Sequence, residues 1–340
     1  MAIQHDLGAV LENVGILSPG LIRFGSEPPV PVIAAPVALP GFPAHPLPAD
    51  PLVRTLQVVL YNRCYMQRLG ETAPAPFQDL QMMNRLAAAN RSQDRWDAGW
   101  RIYQLGANGQ IHILKGERQR AAVAGEYIAL SPPGVAPQVG TMVILRVVRD
   151  APTLQPGFFF MFGETPSDVW DDYRLIRFYF HCRPEVVTEL VSYLTIALNR
   201  FQIPYQMKAL SDAATYIRTD SMVLYCAHRY FHIVARILQH LPQPAAEALK
   251  APVPLFTKRI RAGVGLAEDP RTGESFGMHR CRLTAEGMVD AWNQGRTAPE
   301  DRWQAVAARF ARNGFDLERP YLNPGSVDRF ELAGMEEAAA

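Results

Sequence analysis

Apolar and polar positions change period several times along the chain, and each change marks an element. Within Leu52 to Tyr65 (VRTLQVVLYNRCY) apolar residues recur at helical spacing, which predicts a helix. Phe77 to Ala89 predicts a second. From Trp96 the pattern turns to strands: WRIYQLGANGQIHILKGERQRAAVAGEYIAL reads as two or three, with ANGQ as a hairpin turn. TMVILRVVRD predicts a buried strand, and GFFFMFGE another that ends at Gly163. After the polar stretch ETPSDVWDD come a strand (YRLIRFYFHC), a helix from Pro184 to Arg200 with its proline at the first position, and a strand (YQMKAL). A loop over Ser211 to Tyr216, a strand (SMVLYCA) and a helix from His232 to His240, stopped by Pro242, complete the order. This order predicts an α+β fold, with mixed or antiparallel sheets packed against helices.

Nine prolines between Pro28 and Pro51 predict an extended surface segment, because each fixes φ and lacks a donor. A plain linker is favoured over a polyproline ligand. The punctuation divides the chain into residues 1–51, which hold the proline-rich stretch, a helix-and-strand region at 52–165, a second unit at 166–325 and a tail at 326–340.

Composition narrows the function. The 340 residues suffice for a core without disulfides or metals, and 48% hydrophobic against 20% charged residues is a globular balance. A net charge of +1 argues against a globally basic nucleic-acid binder. No apolar run is long enough to span a membrane, and MAIQHDLGAV lacks the charge-then-apolar pattern of a signal peptide. A cytoplasmic location is expected, although secretion through an unstructured leader would leave no such mark. Cys64, Cys182, Cys226 and Cys281 stand apart with no CxxC, so a zinc ribbon or dithiol motif is excluded and free thiols are expected. The serine-hydrolase, P-loop, zincin and kinase signatures are missing, and GVGLAE is not a dinucleotide fingerprint. His228 and His232 lie at i and i+4 without a third ligand, so no metal is expected.

Candidate chemistry gathers in the second unit. Alternation in RLIRFYFHC puts Arg177, Tyr179 and His181 on one face and Phe178 and Phe180 on the other, for the helix 184–200 to cover. On spacing alone the polar face is a solvated one. Lys208 stands among apolar neighbours in YQMKAL, either as an outward edge charge or as a functional group. Tyr216, Arg218 and Asp220 read as another alternating polar face, with a simple Arg218–Asp220 pair as the alternative. Neighbouring strands would gather Arg177, Tyr179, Lys208 and Arg218 in one cleft. The segment Pro254 to Arg282 is rich in arginine and lysine, including Lys258 and Arg280. Ser275 there reads as a helix N-terminus whose N–H groups, with Arg280 a turn on, could hold an anion. A flexible charged loop with an ordinary serine cap explains the same residues.

The blocks RFYFHCRPE, IPYQMKALSDAATYIRTDSMVLY, PLFTKRI, GLAEDP and ESFGMHRC, in this order, resemble the HopA1-type effector family over most of the C-terminal half. That family includes plant-pathogen effectors and bacterial enzymes encoded with peptide-modifying kinases, and is distantly similar to phosphothreonine lyases. The resemblance implies a lyase that expels phosphate from phosphothreonine or phosphoserine in a peptide, with no cofactor. It implies Lys208 as base and Arg177 and Arg218 for the phosphate, and the basic segment 254–282 adds Lys258 and Arg280 to the expected clamp. Asp220, Tyr225, Ser275 and His279 are implied in support. Arg177 and Tyr179 lie where the lyases carry lysine and a general-acid histidine, so the acid is either Tyr179 or His181. The implied substrate is a precursor peptide phosphorylated by a kinase-like phosphotransferase. Its dehydroalanine or dehydrobutyrine passes to a cyclase, as in lanthipeptide-like or thioamitide-like maturation. An effector lyase on a host phosphoprotein and a non-catalytic phosphopeptide-binding protein are the alternatives. Elimination needs a neutral base, an arginine clamp and an acid, all present in the chain. Arg218, Lys258 and Arg280 are expected to converge on the anion. A strand edge within residues 100–160 is expected to hold the rest of the peptide.

Overall fold

The computed structural model describes residues 2–33, 48–67, 71, 74 and 79–331. Much of the proline-rich stretch, the expected helix start at Phe77 and the end of the tail lie outside these residues. The described chain opens with α1 (Ala2–Asn13) and a small sheet of β1 (Val14–Ser18), β2 (Leu21–Phe24) and β3 (Val30–Pro31). Then comes α2 (Pro51–Leu60), where Pro51 presets the first turn and the Asp50 side chain accepts from the Leu52 N–H. It continues without a break into one turn of π-helix, Tyr61–Tyr65. Asp79 caps α3 (Leu80–Ala89).

Five strands form a second antiparallel sheet: β4 (Arg95–Leu105), β5 (Ile111–Lys115), β6 (Arg118–Ala122), β7 (Tyr127–Ala129) and β8 (Met142–Val147), in the order β6-β5-β4-β8-β7. The ANGQ turn joins β4 to β5, with Asn108 and Gly109 at positive φ. The strand expected to be buried, TMVILRVVRD, is half-buried instead. Val143 and Leu145 face a small core around Trp100, whereas Met142 and Arg146 are exposed.

The large sheet comprises β9 (Asp150–Gln155), β10 (Phe158–Phe162), β11 (Leu175–Phe180), β12 (Tyr205–Leu210), β13 (Met222–Ala227), β14 (Lys258–Arg261) and β15 (Val264–Glu268). Its order is β14-β15-β11-β13-β12-β10-β9, and every pairing is antiparallel. Helices α4 (Val169–Asp172), α5 (Val187–Arg200), α6 (Phe231–Gln239), α7 (Gln243–Glu247), α8 (Phe276–Asn293) and α9 (Pro299–Arg312) connect or cover it, giving an α+β architecture. β10, on the N-terminal side of the division expected at 165, pairs with β12 along its whole length. The N-terminal segment is tied to the C-terminal helices, because Arg302 donates to the carbonyls of Leu11 and Val14.

Three local expectations are corrected. Pro184 is not the first residue of α5, which starts at Val187; the Pro184 and Glu185 carbonyls accept from Arg85 instead. Residues 216–220 form turns rather than a strand, and Arg218 bonds to Asp220 within them. The stretch 254–282 is ordered as β14, β15 and the start of α8, not a loop, since Val264 and Leu266 are fully buried beside β11.

Side chains alternate across β11. Ile176, Phe178 and Phe180 join a core with Val187, Leu190, Leu194 and Leu198 of α5 and Val234 and Leu238 of α6. Each such fully buried side chain contributes about 1.5–3 kcal/mol relative to exposure. Tyr179, with Val223 of β13 and Ala267 of β15, joins a second core with α2, the π-turn, α8 and α9. The sheet is thus covered on both faces, and the second cover determines what surrounds the polar residues.

Candidate functional site

Register decides which side chains share a face. Arg177 pairs with Tyr225, and Tyr225 with Gln206, making one row across β11, β13 and β12. Tyr179 pairs with Val223, Val223 with Lys208, and Lys208 with Phe160, making the next row. Directly opposed residues of antiparallel strands point to the same side. Arg177, Tyr179, Tyr225 and Lys208 therefore share a face, and α5 covers the other.

Lys208 is half-buried. Its Nζ lies 4.1 Å from the centre of the Phe158 ring and donates to Gln155 Oε1 at 3.0 Å. The Arg218 guanidinium lies 5.4 Å from the same ring, so Phe158 is a shared floor for both cations. Arg218 donates from Nε and Nη2 to the two carboxylate oxygens of Asp220, each at 2.9 Å. Burial works to depress the Arg218 pKa, but Asp220 and Tyr61 outweigh it and the group holds its proton more tightly. Arg177 donates to Asp269 Oδ2 from Nε at 2.9 Å and from Nη2, and lies over the Tyr225 ring. Burial opposes its charge as well, yet Tyr179, Tyr225 and Asp269 raise its pKa. Both arginines are fixed in place by a carboxylate, and a bound phosphate must share or displace that partner.

Three tyrosines stand over this face, two of them from the N-terminal half. The Tyr61 and Tyr65 rings stack at 5.3 Å, and Tyr65 meets Tyr179 edge-on at 6.3 Å. The Tyr65 and Tyr179 hydroxyls are buried without a well-formed hydrogen bond to any described residue. Burial drives the Tyr179 pKa up to about 12, despite the opposing pull of Arg177. Gly277, in the first turn of α8, lets the Tyr65 ring lie directly on the helix, where a Cβ would collide with it. Tyr61 and Tyr65 were not singled out in the sequence. Their only signal there was a Tyr-x-x-x-Tyr spacing at the end of a predicted helix, which reads equally well as core.

The expected phosphate clamp does not assemble as a whole. Lys258 pairs with Leu266, which pairs with Phe178, so Lys258 lies on the face opposite Arg177. There it donates to Asp328 at 2.7 Å. Arg280 is fully buried: Nε donates to the Pro320 carbonyl at 2.6 Å and Nη2 to that of Leu322 at 3.0 Å, while Nη1 meets His279 Nδ1 at 2.8 Å. It fastens the C-terminal segment to α8 and has no nitrogen left without a partner. Lys258 is therefore on the face opposite Arg218, whereas Arg280 lies within electrostatic reach of Tyr179, Tyr65 and Arg177 but directs its nitrogens to the C-terminal segment and His279. Ser275 caps α8 by accepting from the Met278 N–H at 3.3 Å. His279 is 3% exposed, and burial beside Arg280 and Arg282 pushes its pKa down to about 3. His181, beyond the end of β11, has Nδ1 3.3 Å from the Pro252 carbonyl. The four cysteines are free thiols and buried. Among the described residues no cluster of three His, Cys, Asp or Glu could hold a metal, and no helix is long and apolar enough to cross a membrane.

Solved structures that resemble the chain include two effector proteins. The effector protein from Pseudomonas syringae pv. tomato strain DC3000 is 15% identical, with a TM-score of 0.42 over 77% of this chain and 87% of that one. The effector protein from Pseudomonas syringae pv. syringae strain 61 is also 15% identical, with a TM-score of 0.41 over 78% and 88%. No curated protein matches. The model of the HopA1 effector protein family matches residues 149–322, just over half of the chain, a range that includes every strand of the large sheet. The chain belongs to the HopA1 effector protein family.

Proposed function

We propose that the protein is a carbon–oxygen lyase that eliminates phosphate from phosphothreonine or phosphoserine in a peptide. The observation that carries this reading is the shared face: Lys208 and Arg218 over one aromatic floor, with Arg177 and Tyr179 in adjacent rows. Lys208 takes the Cα proton on its side-chain nitrogen. Arg218 and Arg177 hold the phosphate dianion, to which guanidinium offers planar paired donors. The C–O bond breaks, an alkene forms between Cα and Cβ, and an acid supplies a proton to the departing oxygen. No water, metal or nucleotide is needed for the atoms to balance. The acid is drawn from the tyrosines rather than from His181, whose Nδ1 is turned to the Pro252 carbonyl. The Lys258 and Arg280 contacts reported above argue against their direct part in the clamp.

A precursor peptide, a kinase-like phosphotransferase that supplies it and a later cyclase rest on the family resemblance alone. A phosphothreonine peptide incubated with the full-length protein, without added metal or nucleotide, should lose the elements of phosphoric acid by mass spectrometry. Binding without elimination would make the protein a phosphopeptide-binding module instead.

A further inference from the structure

We propose that Tyr61, at the start of the π-helical turn, is the proton donor to the leaving phosphate oxygen, with Tyr65 and Tyr179 behind it. The inference deepens the lyase reading and rests on it.

The turn itself is the first observation. One-turn π-helices are rare and recur at functional sites, because they widen the helix and re-aim its side chains. Here the Met66 N–H bonds to the Tyr61 carbonyl at 3.0 Å, and the Tyr61 and Tyr65 rings lie stacked at an interplanar angle of 16°. The second observation is how this turn meets the loop carrying Arg218. The Thr219 N–H donates to the Met66 carbonyl at 2.6 Å, and its hydroxyl donates to the Tyr65 carbonyl at 3.0 Å. The residue between Arg218 and Asp220 is thus bolted to the end of the π-turn, which brings Tyr61 within electrostatic reach of the Arg218–Asp220 pair. The third is access. Tyr65 and Tyr179 are 2% and 3% exposed, whereas Tyr61 is half-buried, as are Arg218 and Lys208. Of the three tyrosines in this cluster, Tyr61 is the one a phosphate held by Arg218 can touch.

The step balances as follows. Lys208 takes the Cα proton as the C–O bond breaks and its electrons go to the bridging oxygen. The Tyr61 hydroxyl gives that oxygen its proton, so phosphate leaves as the monohydrogen species. The Tyr61 phenolate and the Lys208 ammonium then return to their starting forms by proton exchange with solvent. Burial first, and Asp220 next, raise the Tyr61 pKa, so the hydroxyl is intact at neutral pH; the Arg218 guanidinium opposes them and can stabilise the transient phenolate.

The test compares Tyr61→Phe with the parent protein on two peptides that differ at one atom, phosphoserine and S-phosphocysteine. A departing thiolate sulfur needs a proton far less than a departing oxygen. Tyr61→Phe keeps the ring stack and should slow phosphoserine elimination about a hundredfold, the lower end for loss of general-acid catalysis. It should slow the sulfur substrate much less. Equal slowing of both would assign Tyr61 a structural part and overturn the inference, as would no slowing of either. A parent protein inactive on both peptides would instead overturn the lyase reading and the inference with it. A thermal midpoint matched to the parent establishes that the variant is folded.

Discussion

On one face of the large sheet, Phe178 stacks on Phe231 at 6.2 Å within a core closed by α5 and α6. On the other, one residue away along the same strands, Arg177 and Tyr179 meet tyrosines, a carboxylate and the start of α8. Both faces are covered, so the difference is not between buried and exposed. The first face is closed by apolar side chains that fill space without directional demands. The second places charges and hydroxyls where each must find a partner, and the Tyr65 and Tyr179 hydroxyls lie near each other and Arg177 without a well-formed hydrogen bond among the described residues. An unmet buried hydroxyl costs about 1–3 kcal/mol.

The contrast is most sharply broken on the apolar side. Phe178→Ala should cost about 3–5 kcal/mol in denaturant unfolding, because the ring is wholly buried and leaves a cavity. Lys208→Arg, on the polar face, should leave the unfolding midpoint near that of the parent. It should nevertheless eliminate phosphate at least about a hundredfold more slowly, since guanidinium keeps the charge but supplies no base. An equal loss of stability in both variants would erase the distinction between the faces. Arg218→Ala should weaken phosphopeptide binding, measured by fluorescence anisotropy, by roughly 1.5–3 kcal/mol, the range for a charge-assisted contact. Lys258→Ala should leave that affinity unchanged, because its amine lies on the opposite face and holds Asp328.

A further expected effect is one of pH, spread over several pH units. The unfolded chain protonates His279 near pH 6.5, whereas the folded protein refuses that proton down to about pH 3. Within this window the unfolded state binds more protons, so this contribution to stability is complete above pH 6.5 and is lost as the pH falls toward 3. The slope is at most about 1.4 kcal/mol per pH unit. His279→Asn should flatten the acid limb of a stability–pH curve, and an unchanged limb would remove His279 as its source.

Several of these features were legible in the residues themselves. The alternation of RLIRFYFHC already separated Arg177 and Tyr179 from Phe178 and Phe180, since a strand has only two faces. The serine before Phe276 announced a helix, because a hydroxyl there can meet an orphan N–H. The π-turn was not legible: VVLYNRCY carries ordinary helical periodicity, and the widening depends on what Tyr65 and Thr219 meet in space.

By itself, then, the sequence determined the local periods, the caps and the side chains that share a strand face, because these depend on neighbours a few residues apart. Only the tertiary structure decided which cations meet. Lys258 and Arg280 have the same charge as Arg218 and lie in a segment just as basic. The antiparallel pairing of β14 with β15 carries Lys258 to the far face, and the carbonyls of Pro320 and Leu322 draw Arg280 into the core. Tyr61 reaches Arg218 across more than 150 residues of chain through the Thr219 bonds to the π-turn. Contacts at such separations depend on register and on unmet backbone groups, which no local pattern of residues encodes.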